Sequence, residues 1–282
     1  MKFPVGIITD SFRTDIRTAL HKAASLGADG VQIYAVRGDV SPEMTPAARA
    51  RLRDMVASEG LVISALCGDL GTGGFCFPEN NARKVEYSKR IVDLAKELGT
   101  DIITTHIGVV PADPAHPRFG VMQQACGELA EYAASVGAHF AVETGPEPAK
   151  VLKAFLDTLP GTGVAVNLDP ANLKMVCDDD PAEAVRTLRD YIVHTHAKDG
   201  RMIYYKNPEY IYGLEQEPIV TDTSFEEVPL GQGNVNFPRY LKALEEIGFK
   251  GFLTIEREVG DDPAGDIAAA VDFLRKTMAG ID

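Results

Sequence analysis

The stretch Val136-Gly137-Ala138-His139-Phe140-Ala141-Val142-Glu143-Thr144-Gly145 holds the unit from which the whole chain is built. A segment of helical period over 117–136 stops at a glycine, the residue that most easily takes the left-handed backbone closing a helix. A short apolar run over 138–143 follows at once and ends on a carboxylate. The same junction recurs at Leu26-Gly27, Glu59-Gly60, Leu98-Gly99 and Ile247-Gly248, each a few residues ahead of another strand candidate. Helix, glycine and strand in repetition make the βαβ pattern of a parallel sheet.

Working outward, strands are expected at 4–9, 30–34, 61–67, 101–106, 138–143, 163–168, 191–196 and 251–256. Amphipathic stretches alternate with them at 12–26, 45–59, 80–98, 117–136, 148–158, 181–190, 236–247 and 264–278. Their starts carry helix-entry chemistry, as in Ser41-Pro42-Glu43, Asp180-Pro181 and Asp262-Pro263. Eight such units predict an α/β chain folded as a single-domain (β/α)8 TIM barrel over 1–282, whose active face lies at the C-terminal strand ends. A doubly wound sheet would show a glycine-rich turn after its first strand, where Ile7-Ile8-Thr9-Asp10-Ser11-Phe12 stands instead.

Composition narrows the function classes. A formal charge of -13 leaves no basic stripe to neutralise phosphates, so DNA and RNA are not expected partners. No apolar stretch approaches the length of a membrane span. The four cysteines, Cys67, Cys76, Cys126 and Cys177, form no CxxC pair, and the first ten residues carry no apolar leader core. A reduced, cytoplasmic protein is the expectation.

Four strand candidates end on groups that bind metals: Glu143, Asp169 in Val-Asn-Leu-Asp-Pro, His196 in Val-His-Thr-His-Ala-Lys-Asp, and Glu256 in Leu-Thr-Ile-Glu-Arg. Any one carboxylate alone is better explained by a salt bridge or a helix cap, but in one barrel all four would meet at a single divalent cation. Three carboxylates and an imidazole suit Mn²⁺ or Mg²⁺ best, and Co²⁺ or Zn²⁺ also accept such a set. His194 and His196 share a strand face by period-two alternation; His196, nearer the strand end, is the ligand candidate, with His194 a core or supporting group. His106 ends the fourth strand and points at the same mouth, with substrate contact and plain packing equally open. Lys198 and Arg201 are candidates for polarising a substrate oxygen.

Other patterns have plainer explanations. Asp178-Asp179-Asp180 precedes Pro181 as acids at a helix start do. Gly231-Gln232-Gly233-Asn234 leaves a weak phosphate-loop reading. A long connection after the seventh strand, about 199–235, carries Tyr204, Tyr205, Tyr210 and Tyr212, which suit a sugar's faces and hydroxyls or a contact between copies in a homo-oligomer.

The segments Val-Glu-Thr-Gly, Asn-Leu-Asp-Pro-Ala-Asn-Leu, His-Thr-His-Ala-Lys-Asp, Leu-Gly-Gln-Gly-Asn-Val-Asn-Phe and Thr-Ile-Glu, in this order, resemble the sugar phosphate isomerase/epimerase group of xylose isomerase-like TIM barrels. That group includes ketose 3-epimerases, inosose-converting enzymes and endonuclease IV. The resemblance implies that Glu143, Asp169, His196 and Glu256 bind a divalent metal, commonly manganese. Endonuclease IV adds histidines for a three-zinc cluster, one of them three residues past the aspartate. Here that position is Asn172, where ketose 3-epimerases tend to place a substrate-contacting histidine, so DNA repair is disfavoured and Asn172 becomes a substrate-side candidate.

The implied chemistry is removal of a proton next to the carbonyl of a ketose or keto-sugar, through an enediolate stabilised by the metal, with Glu143 and Glu256 as paired acid and base. A lyase or dehydratase acting on a keto-sugar or inosose would use the same groups. A metal-dependent hydrolase usually carries its HxH pair on the first strand rather than the seventh. A non-catalytic sugar-binding barrel would be expected to have lost at least one of the four ligands.

Overall fold

The glycines that end helices in the repeated junction all hold positive φ: 75° at Gly27, 75° at Gly60, 91° at Gly99, 65° at Gly137 and 74° at Gly248. A Cβ resists that backbone, so each glycine releases the chain from a helix toward its next strand. The computed structural model describes residues 3–36, 38–71, 73–217, 219 and 222–281.

Among them the strands are β1 (Val5–Ile8), β2 (Gly30–Tyr34), β3 (Val62–Cys67), β4 (Ile102–Thr105), β5 (His139–Glu143), β6 (Val164–Leu168), β7 (Ile192–Ala197), β8 (Asp199–Met202), β9 (Phe225–Val228) and β10 (Leu253–Ile255). The helices are α1 (Ile16–Ser25), α2 (Pro46–Ser58), α3 (Pro78–Leu98), α4 (Pro117–Ser135), α5 (Ala149–Leu156), α6 (Pro170–Asn172), α7 (Pro181–Thr187), α8 (Pro208–Ile211), α9 (Phe237–Glu246) and α10 (Pro263–Ala279).

Eight strands close a barrel in the order β1-β10-β7-β6-β5-β4-β3-β2. Every neighbouring pair is parallel. Helices between the strands bury apolar faces against the outside of the sheet, α4 through Phe119, Met122, Cys126 and Leu129. Asp15, Thr45, Asp180 and Asp262 each accept a backbone N–H in the first turn of α1, α2, α7 and α10. The chain is therefore a single-domain (β/α)8 barrel, as the repeated junction predicts.

The barrel interior departs from the branched apolar layers common to this architecture. Gln32, Thr104, Asn167, His194 and Thr254 are all almost fully buried. Gln32 Nε2 donates to Thr104 Oγ1 at 3.1 Å, while Gln32 Oε1 lies 3.0 Å from His194 Nε2. His194 Nε2 is also 3.0 Å from Thr254 Oγ1.

The long segment after β7 is more ordered than a bare connection. Its ends pair as an antiparallel hairpin, Asp199 opposite Val228 and Met202 opposite Phe225, with α8 between them. The buried carboxylate of Asp199 holds this arrangement: Oδ1 accepts from Gly200 N and Val235 N, Oδ2 from Gly231 N and Gly233 N. Gly233 is needed there, because a Cβ would stand 2.1 Å from Asp199 Oδ1. The glycine pair read as a weak phosphate loop thus turns its N–H groups to an internal carboxylate instead. Likewise Asp180 caps α7, and Asp179 Oδ2 accepts from Ala149 N at the start of α5.

Candidate active site

Period-two alternation carries the site residues inward at the C-terminal strand ends. β7 turns His194, His196 and then Lys198 the same way; in the barrel register Thr254 of β10 sits beside His196, which brings Glu256 to the same mouth. Thr144 Oγ1 accepts from Asp169 N at 2.8 Å and donates to the Asp169 carbonyl at 3.0 Å, which locks the end of β5 to the end of β6.

The result is a close cluster. Glu143, Asp169, His196 and Glu256 each offer one ligand atom, and these atoms all lie within 4.8 Å of one another. Nδ1 of His196 is 3.3 Å from Glu256 Oε2, 3.4 Å from Asp169 Oδ2 and 3.6 Å from Glu143 Oε1. All four residues are buried.

Three carboxylates out of water need positive charge. Burial disfavours the charged form of His196, but Glu256 and Glu143 outweigh it and hold the imidazolium well above its ordinary range. Burial likewise opposes ionisation of Glu256, while Lys198 and His196 pull its carboxyl well below the usual value. Asp169 goes the other way, raised by burial. His194, one layer deeper, is held neutral by burial and by its neighbour His196.

The donor set fits a divalent cation. Asp169 Oδ2 is buried without a hydrogen-bond donor. His196 Nε2 faces Gln32 Oε1 at 3.2 Å; were a cation to replace the imidazolium's Nδ1 proton, the proton kept on Nε2 for that bond would leave the Nδ1 lone pair facing the carboxylates. The four residues could therefore hold a metal with only acceptors turned toward it.

Around the cluster, Asn172 Nδ2 donates to Glu143 Oε1 at 2.8 Å, Asn172 N donates to Asp169 Oδ1 at 2.8 Å, and Asn167 Nδ2 donates to Glu143 Oε2 at 3.3 Å. His106 bridges Asp69 Oδ2 at 3.4 Å and Glu143 Oε1 at 3.5 Å. Burial would lower its pKa, yet Glu143 and Asp69 raise it to about 9. Lys198 is buried, 3.1 Å from Glu256 Oε2 and paired with Glu258. Glu143, His196 and Glu256 of the cluster line a cavity of about 480 Å³, with Tyr34, His106, Asn172, Lys198, Tyr212 and Phe225 also in its walls. Arg201 does not join this group: its Nε pairs with Glu226 Oε2 at 2.8 Å across the hairpin, and its side chain is half exposed.

Gln32, Asp69 and Tyr34 also face the cavity, although none is singled out by the sequence pattern. Gln32 left a signal: a polar side chain at an inward position of the otherwise apolar run Val31 to Ile33. Asp69 left the two-residue step beyond Cys67, which continues the inward face of β3.

Comparison with known proteins places this geometry. A xylose isomerase domain protein from Planctomyces limnophilus superposes with a TM-score of 0.82 at 27% identity, over 100% of this chain and 99% of that one. A D-tagatose 3-epimerase-like protein superposes with a TM-score of 0.76 at 17% identity, over 99% of this chain and 98% of that one, a likeness of fold. L-ribulose-5-phosphate 3-epimerase of Escherichia coli is 39% identical over 57 residues, 20% of either chain. The sequence model of one family matches residues 20–277, and the chain belongs to that family, the xylose isomerase-like TIM barrels.

Proposed function

We propose that the protein is a divalent-metal-dependent isomerase or epimerase that moves a proton on the carbon beside the carbonyl of a ketose or keto-sugar. The observation that carries this reading is the convergence of Glu143, Asp169, His196 and Glu256, whose ligand atoms lie within 4.8 Å of one another, beside the cavity that three of them line. The names of the two epimerase relatives support it. A bound cation, manganese by preference, would act as a Lewis acid toward negative charge developing on substrate oxygens.

The chain's own residues would do the rest. Glu143 and Glu256 come from strands separated around the barrel by β6 and β7, so their carboxylates can approach a substrate from two sides. One takes the proton and the other returns it. Asn172 and Asn167 orient Glu143, each binding one of its oxygens, and Lys198 orients Glu256. His106, Asn172 and Lys198 stand in the cavity wall as donors to substrate oxygens, and Tyr212 and Phe225 restrict water.

The test is exchange of a carbon-bound substrate proton with deuterated water, across ketoses and keto-sugars with Mn²⁺ present. Glu143→Gln and Glu256→Gln should each lower exchange by about 10²–10⁴-fold. Full exchange in either variant would refute the two-base scheme.

A further inference from the structure

A second cavity adjoins the one just described. It measures about 680 Å³ and opens at the ends of β1, β2 and β10; Tyr34, Glu256 and Glu258 stand in the walls of both cavities. The first cavity, at about 480 Å³, already falls in the size range of a site for one small ligand. The second is therefore room beyond the reacting sugar, reached past Tyr34.

Its described lining has a definite chemistry. Asp10, Thr14 and Asp39 offer oxygens to hydroxyl donors, and Ile16 and Val40 offer apolar surface. Two cations, Arg13 and Arg257, are turned to protein oxygens. Arg13 donates to the carbonyls of Gly260 at 2.7 Å and Glu258 at 2.8 Å, and Arg257 is held by Glu227 at 2.7 Å and Asp266 at 2.8 Å. Carboxylates facing a cavity whose described guanidiniums are engaged repel an anion, whereas a neutral polyol can donate to them.

We propose that this second cavity receives the non-reacting part of a substrate larger than a monosaccharide: a neutral, hydroxyl-rich unit such as a glycosyl group joined to the keto-sugar. The inference rests on the isomerase or epimerase reading and names its substrate class. Tyr34 would then stand at the join between the two units.

The test uses the Mn²⁺-loaded protein and calorimetric titration with fructose, fructose 6-phosphate and the glucosyl-fructoses turanose, maltulose, leucrose and isomaltulose. At least one glucosyl-fructose should bind about tenfold or more tightly than fructose. Thr14→Trp, a bulky side chain at an exposed position on the wall, should remove that gain and leave fructose binding within about twofold. The proposal is overturned if no glucosyl-fructose gains over fructose, if fructose 6-phosphate binds more tightly than all of them, or if the gain survives Thr14→Trp. Proton exchange on the same ligands separates the two readings. Exchange without a glucosyl gain sinks the second cavity alone; a glucosyl gain without exchange sinks the isomerase or epimerase reading alone.

Discussion

Gln32 makes the orientation of His196 a property of the barrel interior. Its side-chain oxygen meets His194 and His196 together, and its amide is fixed by Thr104. Gln32→Leu keeps the volume and removes the acceptor, so the imidazole loses the partner that sets its tautomer. Loss of such a supporting bond typically costs about 10–100-fold in metal affinity. Competition of the variant against a chelating dye should show that drop, and unchanged affinity would rule out the orienting role.

Glu147 is a buried carboxylate of another kind. Burial raises its pKa from 4.5 to about 8, against the opposing Val110 N–H and His106. Between those values the native state keeps a proton that the unfolded chain has lost. Its favourable contribution is complete below pH 4.5 and falls away as pH rises to about 8. Glu147→Gln cannot ionise, so stability measured by urea unfolding should decline less from pH 5 to 8 than in the wild type, by on the order of a few kcal/mol. Equal slopes would show that Glu147 is ionised in the native state.

At the scale of elements, the hairpin β8–β9 and the turn at 231–235 depend on one side chain. Asp199 accepts four backbone N–H groups, two on each oxygen. Asp199→Asn is nearly isosteric but places an amide donor against two of those donors. Stranding buried polar groups in this way should cost roughly 2–4 kcal/mol, read as a lower midpoint of thermal unfolding. A variant as stable as the parent would mean that the clamp is weak. The barrel strands were readable because glycine stops and apolar runs are local signals. The hairpin was not, since Asp199–Met202 and Phe225–Val228 are short, charged runs whose pairing depends on residues far away in sequence. Arg201 illustrates the cost: just past His196 it reads as a group for polarising a substrate oxygen, yet the hairpin turns it to Glu226.

For the whole molecule, closure of the barrel converts four separate strand-end residues into one cluster. Their convergence could be anticipated from the order of the motifs. The supporting contacts of Gln32 could not, because they cross the barrel interior from β2 to β4 and β7, strands not paired with it in the sheet. Those of Asp69 and Asn167 could not, because register, not local sequence, decides which side chains meet across the adjacent pairs β3–β4 and β5–β6. A cation that binds the native cluster and not the unfolded chain stabilises the fold by mass action. Chelator treatment should therefore lower the unfolding temperature, and Mn²⁺ should restore it with a concentration-dependent midpoint. A midpoint indifferent to both would exclude a tightly bound cation.

Both ends of the segment that overhangs the cavity are pinned: Ile203 and Tyr204 donate to the Ser224 carbonyl where the hairpin opens, and Asp199 secures its base. What lies between can consequently change in length and composition without disturbing the strands that carry the carboxylates. Under the proposed function the carboxylate cluster would be a constant reactor beneath an interchangeable cap that carries Tyr212, and grafting a different span between the same two anchors is a direct route to a new selectivity.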